Sequence, residues 1–259
     1  MNTILKNTVI CITGASSGIG AACAFKFAEQ GAKLLLIARR SEKLNEVKNA
    51  ILSAYPDTNI LIQQCDVRHQ NEVSLLFESL SDDWKDINVL INNAGLSRGL
   101  EKIQDGILQN WEEMIDTNIK GLLYVTRCIA PRMAERKTGM IINIASIAGR
   151  EVYPGGNVYC ATKAAARTLS AATRIDMNGT GIRVVNIDPG MVETEFSLVR
   201  FHGDSHKAAS VYNGFTPLTG EDIADTVIFC ATRPPHITIA DILILPTAQA
   251  STTLVHKEL

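Results

Sequence analysis

Short runs of aliphatic and β-branched residues alternate along the chain with longer amphipathic stretches, and no other feature of the sequence constrains the fold as strongly. The short runs predict strands, because they are nearly all apolar, as parallel strands are when helices cover both faces of their sheet. These runs are residues 8–13, 33–38, 60–65, 89–92, 140–144, 183–187 and 237–243. The amphipathic stretches predict helices at 19–30, 41–54, 72–80, 107–135, 158–178 and 222–231.

Repeated strand–helix units of this kind predict the α/β fold class. Since crossovers between parallel strands are right-handed, the pattern favours a single-domain, Rossmann-type, doubly wound parallel sheet of about seven strands flanked by helices. We find no linker or repeat, so one domain is expected over residues 1–259. Residues 193–219 are polar and lack strand periodicity, so we expect a substrate lid there.

Composition and charge argue against several classes of partner. The net charge is −2 with both signs scattered, so neither a nucleic acid nor a membrane is expected to bind. The six cysteines stand singly, without a C-x-x-C pair or a Cys/His cluster, which predicts no metal and reduced thiols in the cytoplasm. We find no apolar leader at the N-terminus and no run near the ~20 apolar residues of a membrane span.

A glycine-rich turn follows the first predicted strand and opens the first predicted helix. Its sequence is Gly14-Ala15-Ser16-Ser17-Gly18-Ile19-Gly20. Gly14 would permit a tight turn, Gly18 would let backbone approach a pyrophosphate, and Gly20 would let the helix pack closely on the strand. The helix N-terminus would offer N–H groups to the phosphates. Glycine spacing alone also occurs in purely structural turns, but the strand–turn–helix context favours a dinucleotide site.

The ends of the next three predicted strands suit the rest of a dinucleotide. Arg39 and Arg40 end the second strand, where an NAD site would usually carry an acidic residue, whereas guanidinium groups suit a 2′-phosphate. We therefore predict NADP as the cofactor, although an arginine pair can also be a solvated surface feature. The third and fourth strands are followed by Asp66 and Val67 and by Asn93, Ala94 and Gly95. A carboxylate there could hold the adenine amino group, and small residues allow backbone contact, but plain turns would look the same.

Tyr159 and Lys163 lie one turn apart on one face of a predicted helix. A free tyrosine has a pKa of about 10 and is a poor base at neutral pH. A lysine ammonium and an oxidised nicotinamide nearby would lower that pKa, so that Tyr159 could exchange a proton with an alcohol or carbonyl during hydride transfer. The same spacing is common in ordinary helices and gains weight only from its context.

Further polar and turn residues complete the candidate site. Ser146 follows the fifth predicted strand, and its hydroxyl could hydrogen-bond the substrate oxygen. Asn118 interrupts the long helix at 107–135, where an amide is unfavourable unless it binds something, for example a water linked to Lys163. The sixth strand is followed by Pro189, Gly190, Val192 and Thr194. Their backbone could face the nicotinamide carboxamide, although turn and cap roles explain such residues equally well.

In order and spacing, these residues resemble the short-chain dehydrogenase/reductase family across nearly the whole chain. The resemblance implies that Asn118, Ser146, Tyr159 and Lys163 form a catalytic tetrad. It implies that Tyr159 and Lys163 also contact the cofactor. It further implies self-association into a homodimer or, more often, a homotetramer.

Residues 155–159, 195–201 and 245–249 are similar to those of the NADP-dependent 3-hydroxy acid dehydrogenases within that family. The likeness implies hydride transfer between nicotinamide C4 and C3 of a small 3-hydroxy acid such as serine, allo-threonine or 3-hydroxypropionate. An arginine would suit the carboxylate of such a substrate, and Arg200, in the expected lid, and Arg150 are the candidates. Ser146 and Tyr159 would hold the oxygen at C3.

Two other functions are compatible with the sequence. A 3-oxoacyl-thioester reductase or a broad-specificity carbonyl reductase would use the same scaffold. A non-catalytic nucleotide-binding scaffold is less favoured, because such proteins usually lose the tyrosine or the lysine and this chain keeps both.

Overall fold

A seven-stranded sheet forms the centre of the molecule in the computed structural model, which describes residues 5–258. The first four residues, which enter the expectation about a leader, lie outside the described residues, as does Leu259. The strands are β1 (Val9–Thr13), β2 (Lys33–Ala38), β3 (Ile60–Gln64), β4 (Ile87–Asn92), β5 (Gly139–Ile144), β6 (Ile182–Pro189) and β7 (Asp241–Ile244).

Helices connect consecutive strands on both faces of the sheet. The α-helices are α1 (Gly18–Glu29), α2 (Ser41–Ala54), α3 (Gln70–Ser79), α4 (Asp82–Lys85), α5 (Leu108–Ile115), α6 (Leu122–Glu135), α7 (Asn157–Asp176), α8 (Phe196–Arg200), α9 (Ser205–Ser210) and α10 (Gly220–Ala231). Within residues 5–258, we find no helix long and apolar enough to cross a membrane.

All strands run parallel, in the order β3-β2-β1-β4-β5-β6-β7. The chain order reverses between β1 and β4, and ligands of such sheets bind outside the carboxyl ends of the strands at this point. The predicted doubly wound parallel α/β sheet is confirmed.

The core lies in two layers, one on each face of the sheet. Successive side chains of β1 alternate between them: Ile10 packs in the layer that contains Phe27 of α1, and Cys11 packs in the layer that contains Val125 of α6. Every residue of β1 is therefore buried. This two-sided burial explains why the strand segments are unbroken apolar runs rather than alternating ones.

The structure corrects the long helix predicted at 107–135. That segment is two helices, α5 and α6, joined by one π-helical stretch at Asp116–Gly121. Asn118 lies in this stretch, and its amide bonds to the backbone of Leu96 and to the Thr162 hydroxyl. π-Turns inside helices frequently mark functional sites, and here the distortion turns a polar side chain inward.

Two other segments differ from the sequence-based expectation. The last strand begins at Asp241 rather than at residue 237, because Ile237 belongs to a turn in which its N–H bonds to the Pro234 carbonyl. The segment 193–219, expected to be irregular, contains α8 and α9. It is fastened to the end of β6 by Tyr212, whose hydroxyl donates to the Val192 carbonyl at 2.8 Å.

Candidate active site

A cleft of about 380 Å³ lies at the carboxyl edge of the sheet. Most residues singled out from the sequence line it, namely Gly14, Ser16, Ser17, Gly18, Ile19, Arg39, Arg40, Asp66, Val67, Asn93, Ala94, Gly95, Ser146, Tyr159, Lys163, Pro189, Gly190, Val192 and Thr194. Gly20, Asn118, Arg150 and Arg200 do not line it. The carboxyl ends of parallel strands share one edge, so residues distant in sequence meet there.

The turn between β1 and α1 forms one wall of the cleft. Gly14 has a φ of +66°, and a Cβ on it would lie 2.9 Å from the Cα of Ala94. A Cβ on Gly20 would overlap the Gly14 carbonyl oxygen, so Gly20 allows the helix to pack tightly against the turn. Ser17 is the N-cap of α1, and the first turn of the helix carries no acidic residue. The helix N-terminus is thus open to an anion.

The two arginines that follow β2 have different surroundings. Arg40 reaches the glycine turn, where its Nη2 donates to Ser17 Oγ at 2.9 Å and to Ser16 Oγ at 3.2 Å. The same nitrogen is 2.9 Å from Oε2 of Glu195, in the expected lid. Arg39 instead faces the end of β3, with its Nη1 3.9 Å from Asp66 Oδ2. Arg40 is therefore the arginine that lies at the helix N-terminus.

The side chains of Asp66 and Asn93 form hydrogen bonds with other residues of the protein. Arg68 clamps both carboxylate oxygens of Asp66, with its Nη2 2.7 Å from Oδ2. Burial alone would raise the pKa of this carboxyl, but the hydrogen bonds from Arg68 outweigh it and hold the pKa below its usual range. The Asn93 amide donates to the carbonyl oxygens of Thr13 and Gly14 at 3.0 and 3.2 Å. Asn93 therefore braces the glycine turn.

Tyr159, Lys163 and Ser146 meet at the other end of the cleft, and all three are buried. Lys163 follows Tyr159 by one turn of α7, and its Nζ is 6.0 Å from the centroid of the phenol ring. The same Nζ donates to the Ile144 carbonyl at the end of β5 at 3.0 Å. Ser146 follows that strand, and its backbone N–H donates to a carboxylate oxygen of Asp188 at 3.3 Å.

Asn118 lies behind this group, separated from the cleft by Gly95. Its Oδ1 accepts the Leu96 N–H at 2.9 Å, and its Nδ2 donates to the Leu96 carbonyl at 2.8 Å and to the Thr162 hydroxyl at 3.0 Å. A Cβ on Gly95 would lie 3.3 Å from Asn118 Oδ1 and 3.2 Å from Lys163 Nζ. Asn118 thus fixes the backbone against which the lysine amine packs.

Burial dominates the protonation of the tyrosine–lysine pair. It raises the pKa of the Tyr159 phenol well above its usual value, and the opposing effects of Arg200 and Ser146 are smaller. It lowers the pKa of Lys163 to about 8, although the negative charge of Asp188 acts in the opposite direction. In the free protein, desolvation therefore disfavours the phenolate more than the nearby cations favour it, whereas the expected lowering of the tyrosine pKa also involves the charge of an oxidised nicotinamide.

Arg200 lies over the end of the cleft that contains Tyr159, outside the lining of the cleft. Its guanidinium carbon is 5.2 Å from the ring centroid of Tyr159 and 5.0 Å from that of Phe196. Its Nη2 donates to the Tyr153 hydroxyl at 3.0 Å, whereas its Nε is buried without a hydrogen-bond partner among the described residues. A buried donor without a partner is energetically unfavourable.

Arg150, the other candidate for a substrate carboxylate, is directed away from the cleft. Its Nε donates to Asp188 Oδ2 at 2.6 Å, and its Nη2 pairs with Asp241 on β7. Arg167 of α7 joins the same two carboxylates. The structure corrects the expectation for Arg150, because this guanidinium pairs with two acidic residues of the protein and does not line the cleft.

Several other residues that line the cleft were not singled out one by one from the sequence. Arg98, Leu96, Glu195, Phe196 and Val199 line the cleft. Arg98 follows the Asn-Ala-Gly turn, binds Glu113 at 2.8 Å and donates to the Val199 carbonyl at 2.8 Å. Next to it, the Gly99 N–H donates to the Arg200 carbonyl at 3.0 Å. This clasp fixes the last turn of α8, and no local pattern of residues could have revealed it.

The shape and chemistry of the cleft fit a dinucleotide phosphate. Gly14, Ala94, Gly95 and Gly190 line the cleft without a side chain larger than a methyl group. One end holds an arginine and two serines at a helix N-terminus, which suits phosphate. The other end holds a phenol and an amine that can move a proton. Within residues 5–258, no three His, Cys, Asp or Glu side chains cluster as metal ligands.

Comparisons with known proteins agree with this geometry. Residues 8–203 match the family model described as short chain dehydrogenase. The chain is 45% identical over 251 residues to an NADP-dependent 3-hydroxy acid dehydrogenase of Salmonella typhi, covering 96% of this chain and 99% of the relative. It is 43% identical over 255 residues to the NADP-dependent 3-hydroxy acid dehydrogenase of Schizosaccharomyces pombe, covering 98% of each.

Among solved structures, the fold is similar to the closed form of serine dehydrogenase complexed with NADP+. The TM-score is 0.91 at 42% identity, and the match covers 97% of this chain and 100% of the other.

Proposed function

The chain belongs to the short-chain dehydrogenase family, and on that premise we propose that it is an NADP-dependent 3-hydroxy acid dehydrogenase. It is an oxidoreductase that acts on hydroxyl groups and uses NADP. The proposed substrates are small 3-hydroxy acids of the serine, allo-threonine and 3-hydroxypropionate type. In the oxidation, the hydroxyl at C3 loses its proton to the protein and C3 loses a hydride, which leaves the 3-oxo acid.

The cofactor is assigned along the cleft by charge and size. Arg40, Ser16 and Ser17 would hold the 2′-phosphate, because a guanidinium and two hydroxyls meet there. The glycine turn at the start of α1 would hold the pyrophosphate. Asp66 and Val67 would border the adenine, and the residues around Pro189 and Gly190 would border the nicotinamide. When bound, NADP+ supplies the C4 atom that accepts the hydride, and NADPH returns it in the reverse direction.

Tyr159 is the proposed proton-transfer residue. Its buried phenol holds its proton in the free protein, so it is ready to donate to a carbonyl oxygen in the reduction. In the oxidation it takes the hydroxyl proton, and the ammonium of Lys163 favours the phenolate that precedes this step. Ser146 would donate a hydrogen bond to the substrate oxygen. Asn118 would position Lys163 through the Leu96 backbone rather than touch the substrate.

The position of Arg200 is the observation that carries the choice of substrate. Its guanidinium lies 5.2 Å from the Tyr159 ring and is partly buried, with the Nε unpartnered. A carboxylate would satisfy that donor, and a carboxylate two carbons from the reacting C3 matches a cationic group so close to the phenol. A neutral carbonyl substrate would leave this donor unsatisfied.

The assignment is tested by comparing a 3-hydroxy acid with its methyl ester, which has no charge. In the variant Arg200→Gln, kcat/KM for the acid should fall by about 10- to 100-fold, since a hydrogen bond to a charged group contributes about 1.5–3 kcal/mol. The value for the ester should change much less. Equal losses for acid and ester would remove Arg200 from substrate recognition.

Two control variants sharpen this test. Arg98→Gln removes a neighbouring guanidinium that is already paired with Glu113, so it should lower kcat/KM for acid and ester alike. Tyr159→Phe should abolish turnover of both while NADPH still binds, because only the proton-transfer group is lost.

A set of 3-oxoacyl thioesters belongs in the same assay. Faster turnover of thioesters than of free acids would favour the alternative reductase function over the 3-hydroxy acid dehydrogenase.

The oligomeric state is part of the proposal, and a homotetramer is expected. Exposed apolar side chains on the helices support it: Leu108, Leu123 and Ile175 are 68%, 41% and 74% exposed in the single chain. Light scattering should give four times the 28.1 kDa mass of the chain.

A further inference from the structure

The carboxylate of Glu195 lies where a bound phosphate is expected. Its Oε2 is 2.9 Å from Arg40 Nη2, and that nitrogen also binds Ser16 and Ser17. Ser17 caps α1, whose first turn has no acidic residue of its own. Glu195 thus brings a negative charge to a helix N-terminus that otherwise lacks one, and it does so from a distant segment of the chain.

The residues around Glu195 connect the two ends of the cleft. The preceding residue, Thr194, packs so closely over the glycine turn that a Cβ on Gly18 would lie 3.1 Å from its side chain. The following residue, Phe196, begins α8, and its ring centroid is 5.6 Å from that of Tyr159. The Arg40–Glu195 ion pair therefore ties the expected lid to the phosphate end of the cleft.

The chemistry of this ion pair makes it incompatible with a second anion. Burial would raise the pKa of Glu195, but Arg40, Ser17 and Lys43 together lower it, so the group is an anion at neutral pH. A 2′-phosphate placed on Arg40 would meet this carboxylate at hydrogen-bond range, and two like charges so close repel each other. The side chains of Arg40 and Glu195 are 47% and 40% exposed, so the ion pair is weak enough to be exchanged.

We propose that Glu195 competes with the 2′-phosphate of NADP for Arg40, which makes Glu195 a determinant of cofactor affinity and selectivity. The proposal rests on the use of NADP stated in the proposed function. NAD has no group that requires Arg40, so its binding leaves the Arg40–Glu195 pair intact. NADP must displace the carboxylate, and this exchange frees the start of α8 from the glycine turn.

The test is calorimetric binding of NADP+, NAD+, 2′,5′-ADP and 5′-AMP, without substrate, at low ionic strength. In Glu195→Gln, the Kd values for NADP+ and 2′,5′-ADP should fall by about 3- to 10-fold, because a competing exposed ion pair and a repulsive charge are removed. The Kd values for NAD+ and 5′-AMP should change by less than about twofold. The gain should shrink as salt is added, since exposed charges are screened.

Matched variants separate competition from a general change in charge. Glu193→Gln removes the same charge from the same segment, but Glu193 makes no contact with Arg40 and should leave all four affinities unchanged. In an Arg40→Gln background, Glu195→Gln should raise NADP+ affinity by less than it does in the wild type, because the competition for Arg40 is gone and only the repulsion of the phosphate remains. Additive effects of the two substitutions would contradict a shared site.

A second measurement tests whether the Arg40–Glu195 ion pair holds the expected lid against the phosphate end of the cleft. Hydrogen exchange of the amides in α8 should be faster in free Glu195→Gln than in the free wild type. In the wild type, 2′,5′-ADP should accelerate this exchange and 5′-AMP should not. Unchanged exchange in both comparisons would show that the ion pair does not hold the lid.

The outcomes distinguish this inference from the cofactor assignment. Three results in Glu195→Gln would contradict the proposed competition: tighter binding of all four ligands to the same extent, unchanged affinities, or weaker binding of NADP+. If instead the wild type bound NADP+ no better than NAD+, the assignment of Arg40 to the 2′-phosphate would itself be wrong.

Discussion

At the scale of single residues, Lys163 shows how the site is built at the expense of stability. Its amine is buried, with one hydrogen bond to the Ile144 carbonyl, and burial lowers its pKa to about 8. An unfolded chain restores the ordinary lysine pKa of about 10.4. Between these two values the unfolded state binds more protons than the folded state, so the contribution of Lys163 to stability rises with pH in this window.

The substitution Lys163→Met should reveal this cost. Below pH 8 the wild type must keep a charged amine in a desolvated site, which costs about 3 kcal/mol at 1.36 kcal/mol per pKa unit. The free energy of unfolding of the wild type should therefore rise relative to the variant between about pH 8 and pH 10.4. Urea unfolding of both proteins at several pH values measures the difference. A difference that stays constant with pH would contradict a lowered lysine pKa.

The sequence predicted which residues form this site better than it predicted the pKa values of their side chains. The four-residue spacing of Tyr159 and Lys163 fixes them on one helical face, so their proximity follows from local geometry. The pKa of Tyr159 depends instead on burial by segments far along the chain, including Phe196 of α8. The contact between Arg150 and Asp188 is similarly non-local, so sequence alone could not tell that this arginine is engaged.

At the scale of elements, α7 carries a row of functional and structural groups. Tyr159, Lys163 and Arg167 recur every four residues, so they lie on one face of the helix. The first two reach the cleft, and Arg167 extends the row to the buried carboxylate of Asp188, which also binds the Ser146 N–H. The helix thus connects the proposed proton-transfer groups to a charge cluster between β6 and β7.

Removing one cation of this cluster should destabilise the protein. In Arg150→Met, Asp188 keeps its buried charge but loses its 2.6 Å partner, and breaking a buried ion pair in this way costs roughly 3 kcal/mol. Chemical unfolding gives the size of the effect. The double variant Arg150→Met/Asp188→Asn should recover most of the loss. A loss that persists in the double variant would mean that packing, rather than charge, is responsible.

Elements were predictable where the hydrophobic pattern is strong and local. The strand expected at 33–38 matches β2, since every residue after Lys33 is apolar and buried. The break at Asp116–Gly121 was not predictable, because the hydrogen bonds of Asn118 to Leu96 join two segments that are 22 residues apart. The start of β7 was missed for a related reason: residues 237–240 are apolar enough for a strand but form an irregular segment after the turn at 235–236.

At the scale of the whole molecule, the cleft exists only when the ends of six strands meet. The candidate cofactor contacts come from the ends of β1 to β6 and from the segment after β6. The unfolded chain has no such site, so a ligand stabilises the native state by mass action.

Thermal unfolding should therefore depend on the cofactor. NADP+ at about 100 times its Kd should add about 2.7 kcal/mol, which corresponds to a rise in Tm on the order of 5–10 °C for a domain of this size. NAD+ at the same concentration should give a smaller rise, because it lacks the group that binds Arg40. Differential scanning fluorimetry measures both shifts. Equal shifts for the two cofactors would argue against the selectivity assigned to the β2 end.

The clasp between the loop after β4 and the last turn of α8 allows substrate preference and cofactor binding to depend on different parts of the molecule. Arg98 and Gly99 donate hydrogen bonds to the Val199 and Arg200 carbonyls, whereas the glycine turn, the proposed phosphate site, is braced by Asn93. Substrate preference can therefore change through substitution of a few side chains around α8, while the glycine turn stays the same. For the same reason, a chimera that exchanges residues 96–100 together with 196–201 should inherit the donor's choice of acid, whereas exchanging either piece alone should leave the clasp mismatched.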